Sequence, residues 1–247
     1  MKVRLSRFVC LDVESNLKRC EEEALKAAGE GAEWVLFPES FLTGYKRKLE
    51  PSRTRALFSK ISSSHPATVF FFGSISEERK NRMTVWRSGR EVARYDKVHL
   101  FAPNGERELW DEGDRYACVD LGGVKAGLIN CNDLRYPEQA RALVVEAGCG
   151  VLAVVAWWPW RRDHVWRTLL RARAIENGVF VIGCCVAASE FPEEHFAGAG
   201  NYVFGPKGEQ ILTKDDRSYE LDLAAARDLI VDPKTTAVRI EKIEKFP

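Results

Sequence analysis

Short apolar runs alternate along the chain with longer stretches in which apolar residues return every three or four positions, a pattern that predicts strands separated by helices. Residues 2–10 read as a first strand, with Val3, Leu5 and Phe8 among basic residues. Residues 15–30 read as a helix, with Leu17, Ala24, Leu25 and Ala28 on one face and Glu21, Glu22 and Glu23 towards solvent. The run WVLF at 34–37 reads as a short buried strand stopping at Pro38. A helix is predicted over 52–62, and TVFFFG at 68–73 is apolar throughout, as in a strand covered on both faces. Strands at 82–87 and 91–95 flank Ser88-Gly89, a hairpin signal.

A polar, carboxylate-rich loop after His99 leads to a strand near 116–121, the turn Gly122-Gly123 and a strand from Val124 to Ile129. Pro137 opens a helix to about Ala147, since its missing N–H costs nothing in a first turn. A strand at 151–156, the loop WWPWRR, a helix at 163–177 and a strand at 179–186 follow. Strands are then expected at 201–204, at 210–213 after a GPKG turn, and at 218–223. The hairpins insert antiparallel pairs, so the expectation is an α/β protein with mixed sheets, apolar on both faces, and helices outside. No repeat or linker divides the chain. It reads as one domain over 1–247, with a core at about 2–223 and a tail at 224–247 ending in RIEKIEKFP.

Composition narrows the function classes. A formal net charge of +1 argues against nucleic acid or an acidic membrane surface as partner. No apolar run approaches a membrane span, and the first residues show no signal-peptide pattern. Seven cysteines, an odd number, read as reduced intracellular thiols, so a cytoplasmic protein is expected. There is no CxxC pair and the four histidines are scattered, so no metal is expected.

Three chemically useful residues share one kind of position. Glu39 follows WVLF, Lys97 follows EVARY, and Cys131 follows AGLIN, between Asn130 and Asn132. If these strands are parallel neighbours, their carboxyl ends form one rim, where α/β sheets place their sites. A carboxylate in an apolar pocket can take a thiol proton, and an ammonium can stabilise the oxyanion formed when sulfur attacks a carbonyl or nitrile carbon. The backbone N–H of Asn132 offers a second donor. Such a set needs no histidine. The plainer readings stay open at this point: an inert buried cysteine, a helix-start carboxylate, and a solvated lysine.

FPES around Glu39, YDKVHLF around Lys97 and CNDLRYPE around Cys131 resemble, in that order, the three catalytic motifs of the nitrilase superfamily, the carbon–nitrogen hydrolases. WRTLLRARAIEN at 166–177 resembles the helix after the third motif in the amidase branches, and the resemblance runs from about Lys2 to Leu223. It implies a four-layer α-β-β-α sandwich that pairs into a homodimer or larger oligomer, with no cofactor. It also implies Glu39 as general base, Cys131 as nucleophile, Lys97 as oxyanion stabiliser, and Glu106, rather than Glu108, as a second positioning glutamate. The branch most similar is that of small ω-amidase-type enzymes, which cleave monoamides of dicarboxylic acids through a cysteine thioester. The alternatives are a nitrilase, an N-carbamoyl-amine hydrolase, or a catalytically idle homologue acting as a binding module.

A distal carboxylate would need a basic partner, with Arg135, Arg161 and Arg162 as candidates, although Arg135 could instead brace its turn by pairing with Glu138. Asn132, Tyr45, Trp157, Trp158 and Arg135 are expected to line the substrate pocket. The chain departs from the family pattern in having Asn132 where Tyr is common, and Trp157-Trp158-Pro159-Trp160 where Asn often precedes Trp-Pro. The tryptophans would line the mouth or pack at a dimer interface.

Overall fold

A computed structural model describes residues 1–191, 196–215 and 217–224. The chain begins with β1 (Lys2–Leu5), the short β2 (Val9–Cys10), α1 (Val13–Gly29), β3 (Trp34–Leu36) and α2 (Pro51–Ser64). The long strands β4 (Val69–Glu77), β5 (Lys80–Arg87) and β6 (Arg90–Asp96) come next, followed by the single turn α3 (Glu106–Leu109), β7 (Ala117–Asp120), β8 (Lys125–Asn130) and α4 (Pro137–Val145). The rest is β9 (Val151–Ala156), α5 (Asp163–Asn177), β10 (Phe180–Cys185) and the short β11 (Ala188–Ser189), β12 (Phe196–Ala197), β13 (Tyr202–Phe204) and β14 (Ser218–Glu220).

One sheet has the order β14-β1-β3-β4-β5-β6 and a second the order β13-β10-β9-β8-β7; a small third sheet joins β12, β11 and β2. β1, β3 and β4 are parallel, as are β8, β9 and β10, while the hairpins add the antiparallel strands, so both large sheets are mixed. The alternation of the strands explains the layering. Trp34 and Leu36 join Leu128, Ala153 and Ile182 in a core between the two sheets. Val35 points the other way, into a cluster with Ala24 and Ala27 of α1. Across the molecule, Leu152 and Val181 meet Leu170 and Ala174 of α5 in that same cluster. The result is helix, sheet, sheet, helix, with every central strand covered on both faces.

Local chemistry sets the ends. Asp12 accepts a hydrogen bond from the Ser15 N–H, which starts α1 ahead of the apolar periodicity. Gly178, in the left-handed conformation, closes α5. Two expectations need correction. Residues 2–10 form two strands in different sheets: Ser6 still donates to Leu36 O, but the Phe8 carbonyl accepts from Ala187, which hands the chain to the small sheet. Residues 210–213 form no strand; only Gln210 bridges to Phe204, and Asp215 then accepts from the Arg217 and Ser218 N–H groups and turns the chain. The tail expected at 224–247 lies outside the described residues beyond Ala224. Among the described residues, no helix is long and apolar enough to cross a membrane.

Candidate active site

Glu39, Lys97 and Cys131 meet, although not as neighbours on one sheet. β3 and β6 run parallel but are separated by β4 and β5, and β8 belongs to the facing sheet. The three strand ends converge from the two sheets. Past β3, Phe37 N–H still donates to Phe71 O, and Gly73 lets the Pro38 carbonyl pass so close that a Cβ there would lie 1.8 Å from its oxygen. That contact fixes the segment carrying Glu39.

Cys131 has φ +52°, a left-handed conformation that costs a non-glycine residue roughly 1–3 kcal/mol. Asp133 holds it there. Its buried carboxylate accepts from Asn130 N–H at 3.0 Å, Tyr95 Oη at 2.7 Å and His99 N–H at 2.8 Å, and faces His99 Nδ1 at 2.9 Å. Hydrogen bonds to a charged group contribute about 1.5–3 kcal/mol each, so this set outweighs the strain and ties the cysteine corner to the strand leading to Lys97.

The Glu39 carboxylate is fully buried, and each of its oxygens is engaged. Oε1 accepts from Lys97 Nζ and Asn81 Nδ2, both at 2.9 Å, and Oε2 from the Trp157 N–H at 2.8 Å. The Trp157 carbonyl accepts from Cys131 Sγ at 3.8 Å, so thiol and carboxylate both engage the backbone of one residue. Lys97 Nζ also donates to Glu106 Oε1 at 2.8 Å, while Glu106 Oε2 accepts from Phe101 N–H at 2.8 Å. Glu106 is buried and Glu108 exposed, so Glu106 is the second glutamate of the site.

Burial works to raise the Glu39 pKa, but the Lys97 charge and the hydrogen bonds from Lys97, Cys131 and Asn81 outweigh it and hold the carboxyl below its ordinary value. Cys131 moves the other way: burial first, then the Glu39 charge, push the thiol well above its usual value against the pull of Lys97. Burial also raises Glu106, opposed by Lys97 and helped by Glu39. Lys97 loses stability as a cation through burial, yet Glu39, Cys131 and Glu106 keep it protonated. The resting site therefore holds a thiol, an ionised Glu39 and an ammonium.

A cavity of about 440 Å³ opens over Cys131. Each residue expected to line it does so. Tyr45 packs edge-on against Trp157, with ring centroids 5.5 Å apart, and both border the cavity with Trp158. Asn132 lines it too, but its side-chain amide donates to the His99 and Leu100 carbonyls and so fixes that loop. Arg135 and Glu138 are both exposed, and Arg135 lies over the Trp158 ring at 4.6 Å, so it does not brace its turn through Glu138. Arg161, Arg162 and Trp160 also line the cavity.

Asn81 escaped the sequence reading. Asn130 Nδ2 donates to Asn81 Oδ1 at 3.0 Å, which orients the amide so that its NH2 meets Glu39. No sequence signal marked it, since Asn81 stands among polar residues at the start of β5, KNRMTVWR. The remaining cysteines carry no site chemistry of this kind. Cys149 lies just past α4 rather than within an element, 3.0 Å from Cys118 between sulfurs. Among the described residues, no cluster of three or more His, Cys, Asp or Glu could hold a metal ion.

Comparison with known proteins places this geometry. The chain is 28% identical to an omega-amidase of Escherichia coli over 90% of this chain and 89% of that one. It is 30% identical to a 2-oxoglutaramate amidase of Bacillus subtilis over 74% of each. Its fold superposes on Nit3 of Saccharomyces cerevisiae, a member of the nitrilase superfamily, with a TM-score of 0.80 at 22% identity, covering all of this chain and 97% of that one. The family model of the carbon-nitrogen hydrolases matches residues 3–224. With three strand ends delivering a glutamate, a lysine and a cysteine to one buried point, and a family match along that whole length, the chain belongs to the carbon–nitrogen hydrolase family.

Proposed function

We propose that the protein hydrolyses a small linear amide bearing a distal carboxylate to the free acid and ammonia, as an ω-amidase-type enzyme. The observation that carries this reading is the shared environment of Cys131 and Glu39: a buried thiol and a buried carboxylate that engage the backbone of the same Trp157, with Lys97 bound to that carboxylate. As Cys131 Sγ attacks the amide carbon, the thiol proton passes to Glu39 and the carbonyl electrons move to oxygen, where Lys97 and the Asn132 N–H stabilise the negative charge. Collapse breaks the C–N bond, Glu39 returns the proton to the leaving nitrogen, and ammonia departs from a thioester. Water then gives a proton to Glu39 while its oxygen adds to the thioester carbon, and the sulfur leaves as the thiol. Glu106 holds Lys97 through a second bond to its ammonium.

Two relatives are named as an omega-amidase and a 2-oxoglutaramate amidase, and Arg135, an exposed cation, lines the same cavity as Cys131. The test is ammonia release from amides, ω-amides, carbamoyl amines and nitriles, with wild type and Cys131→Ala in parallel. Release from ω-amides, lost in the variant, with the acyl-enzyme mass visible on rapid quench, is the expected result. Activity retained by Cys131→Ala would overturn the mechanism. Release from nitriles or carbamoyl amines alone would change the substrate class.

A further inference from the structure

The mouth of the cavity carries more positive charge than a single carboxylate needs. Arg135, Arg161 and Arg162 all line it, and none of the three has a carboxylate partner among the described residues. The nearest acidic side chain in sequence, Asp163, is spent on the Gly200 N–H at 2.9 Å and the Tyr202 hydroxyl at 2.7 Å. Two of the guanidiniums rest on aromatic faces, Arg135 on Trp158 at 4.6 Å and Arg162 on Phe101 at 5.4 Å, which positions them without consuming their N–H groups. Arg162 Nε is buried with no hydrogen-bond acceptor. A buried donor without an acceptor costs about 1–3 kcal/mol, and a ligand oxygen would recover it.

We infer that the amide cleaved here carries two negative charges on its acyl part, one met by Arg135 and the other by Arg162 with Arg161. This deepens the amidase reading and rests on it. Charge balance decides for two rather than one. Among the described residues, the buried cluster of Glu39, Lys97 and Glu106 leaves at most a single excess negative charge, and none if Glu106 is protonated. The three arginines at the mouth exceed that by at least two. The crowding is already felt at Arg162, whose pKa is lowered by burial first and then by the charges of Arg135 and Arg161. A monoanionic acyl group would leave like charges facing one another across a half-enclosed cavity; a dianion pairs them, and forked guanidiniums bind carboxylate or phosphonate oxygens in pairs.

The test compares kcat/KM for amides of similar reach: butyramide (neutral), glutaramate (one charge), the terminal monoamide of propane-1,2,3-tricarboxylic acid (two carboxylates) and 3-phosphonopropionamide (one doubly charged group). The proposal expects a dianionic amide to exceed glutaramate by about tenfold or more, the effect of one charge-assisted hydrogen bond. Preference for the bis-carboxylate or for the phosphonate tells which kind of dianion fits. Arg162→Gln should bring the dianion-to-monoanion ratio close to one. The same amides titrated calorimetrically into Cys131→Ala separate the two readings. Tighter dianion binding there, without turnover by wild type, supports the subsite while the amidase reading fails. Ready turnover of glutaramate with no dianion preference, or a ratio that Arg162→Gln leaves unmoved, overturns the subsite while the amidase reading stands.

Discussion

Replacing Asn81 by alanine is the sharpest probe of how Glu39 is held. Asn81 is 1% exposed, and its amide sits between two partners: Nδ2 donates to Glu39 Oε1 at 2.9 Å, and Oδ1 accepts from Asn130 Nδ2 at 3.0 Å. The substitution removes one charge-assisted hydrogen bond from the proposed base. At about 1.5–3 kcal/mol, that loss lowers kcat/KM on the order of 10- to 100-fold if orientation of Glu39 is what the bond provides. It also strands the Asn130 amide donor in the interior, which costs about 1–3 kcal/mol of stability.

The pH profile separates orientation from mere loss of fold. Asn81 is among the groups that hold Glu39 below its ordinary value, after burial, which acts upward, and Lys97, which acts downward. Without it the Glu39 pKa rises. The acid limb of kcat/KM, which follows ionisation of the base in the free enzyme, then moves to higher pH. The assay is ammonia release across an acid-to-neutral pH series, corrected for folded fraction by circular dichroism at each pH. A variant with its acid limb unmoved and kcat/KM within twofold of wild type would refute the role given to Asn81, however much stability it had lost.

Three further outcomes follow from the same geometry. Lys97→Met leaves Glu39 and Glu106 facing each other in the interior, with a loss of roughly 3–5 kcal/mol near neutral pH; because both carboxyls then titrate higher, urea unfolding should show the deficit shrinking from pH 8 to pH 5, and an equal deficit at both would count against it. Glu77 is held at about 2, first by the hydrogen bond from Arg55, against a reference of 4.5. A lowered folded value means that its contribution is full above 4.5 and is lost as pH falls towards 2, so Glu77→Gln should flatten the acid decline of the urea midpoint. Gly73→Ala would set a Cβ 1.8 Å from the Pro38 oxygen; a loss of about 1–3 kcal/mol or more, with kcat/KM falling as Glu39 is displaced, is expected in unfolding and ammonia assays.

Much of the fold was legible because burial is written into the strands. β9 at Val151–Ala156 is wholly apolar and wholly buried, and α5 at Asp163–Asn177 carries a regular apolar face ended by Gly178, so both were located to the residue. Glu39 and Cys131 were legible because each stands at the end of an apolar run with a reactive group, and Lys97 because it lies just past the end of the strand REVARYD. What the pattern could not carry was partnership. In residues 2–10, Val3, Leu5, Phe8 and Cys10 are buried while Lys2, Arg4, Arg7 and Val9 are at least partly exposed, and this pattern does not name the strand partners that take the chain from one sheet to another near Ser6. Asn81 is equally silent: its meaning lies in Glu39, 42 residues away, and Asn130, 49 residues away, which only the pairing of β5 brings to it. The alternative offered for Arg135, a brace through Glu138, rested on their closeness in sequence, but an exposed guanidinium gains more over the flat face of Trp158 than from a solvated carboxylate.

The absence of a histidine from the proposed machinery has a physical logic in the charges. A thiolate at rest would put a third anion beside Glu39 and Glu106 with Lys97 as the one cation bonded to them, and desolvation makes that arrangement expensive; the thiol accordingly stays protonated. In the proposed attack, the proton leaves sulfur for Glu39 as a negative charge forms on the substrate oxygen. The carboxylate loses its charge in the same step that the oxyanion gains one. The buried cluster thus keeps the same net charge before and after addition, and Lys97 exchanges one anionic oxygen for another rather than meeting a new charge. A neutral imidazole base would instead become a cation as the oxyanion formed, which separates charge in a site that excludes water. With a carboxylate as base the charge only moves, and Lys97, which already bonds Glu39, is the cation proposed to meet the oxyanion.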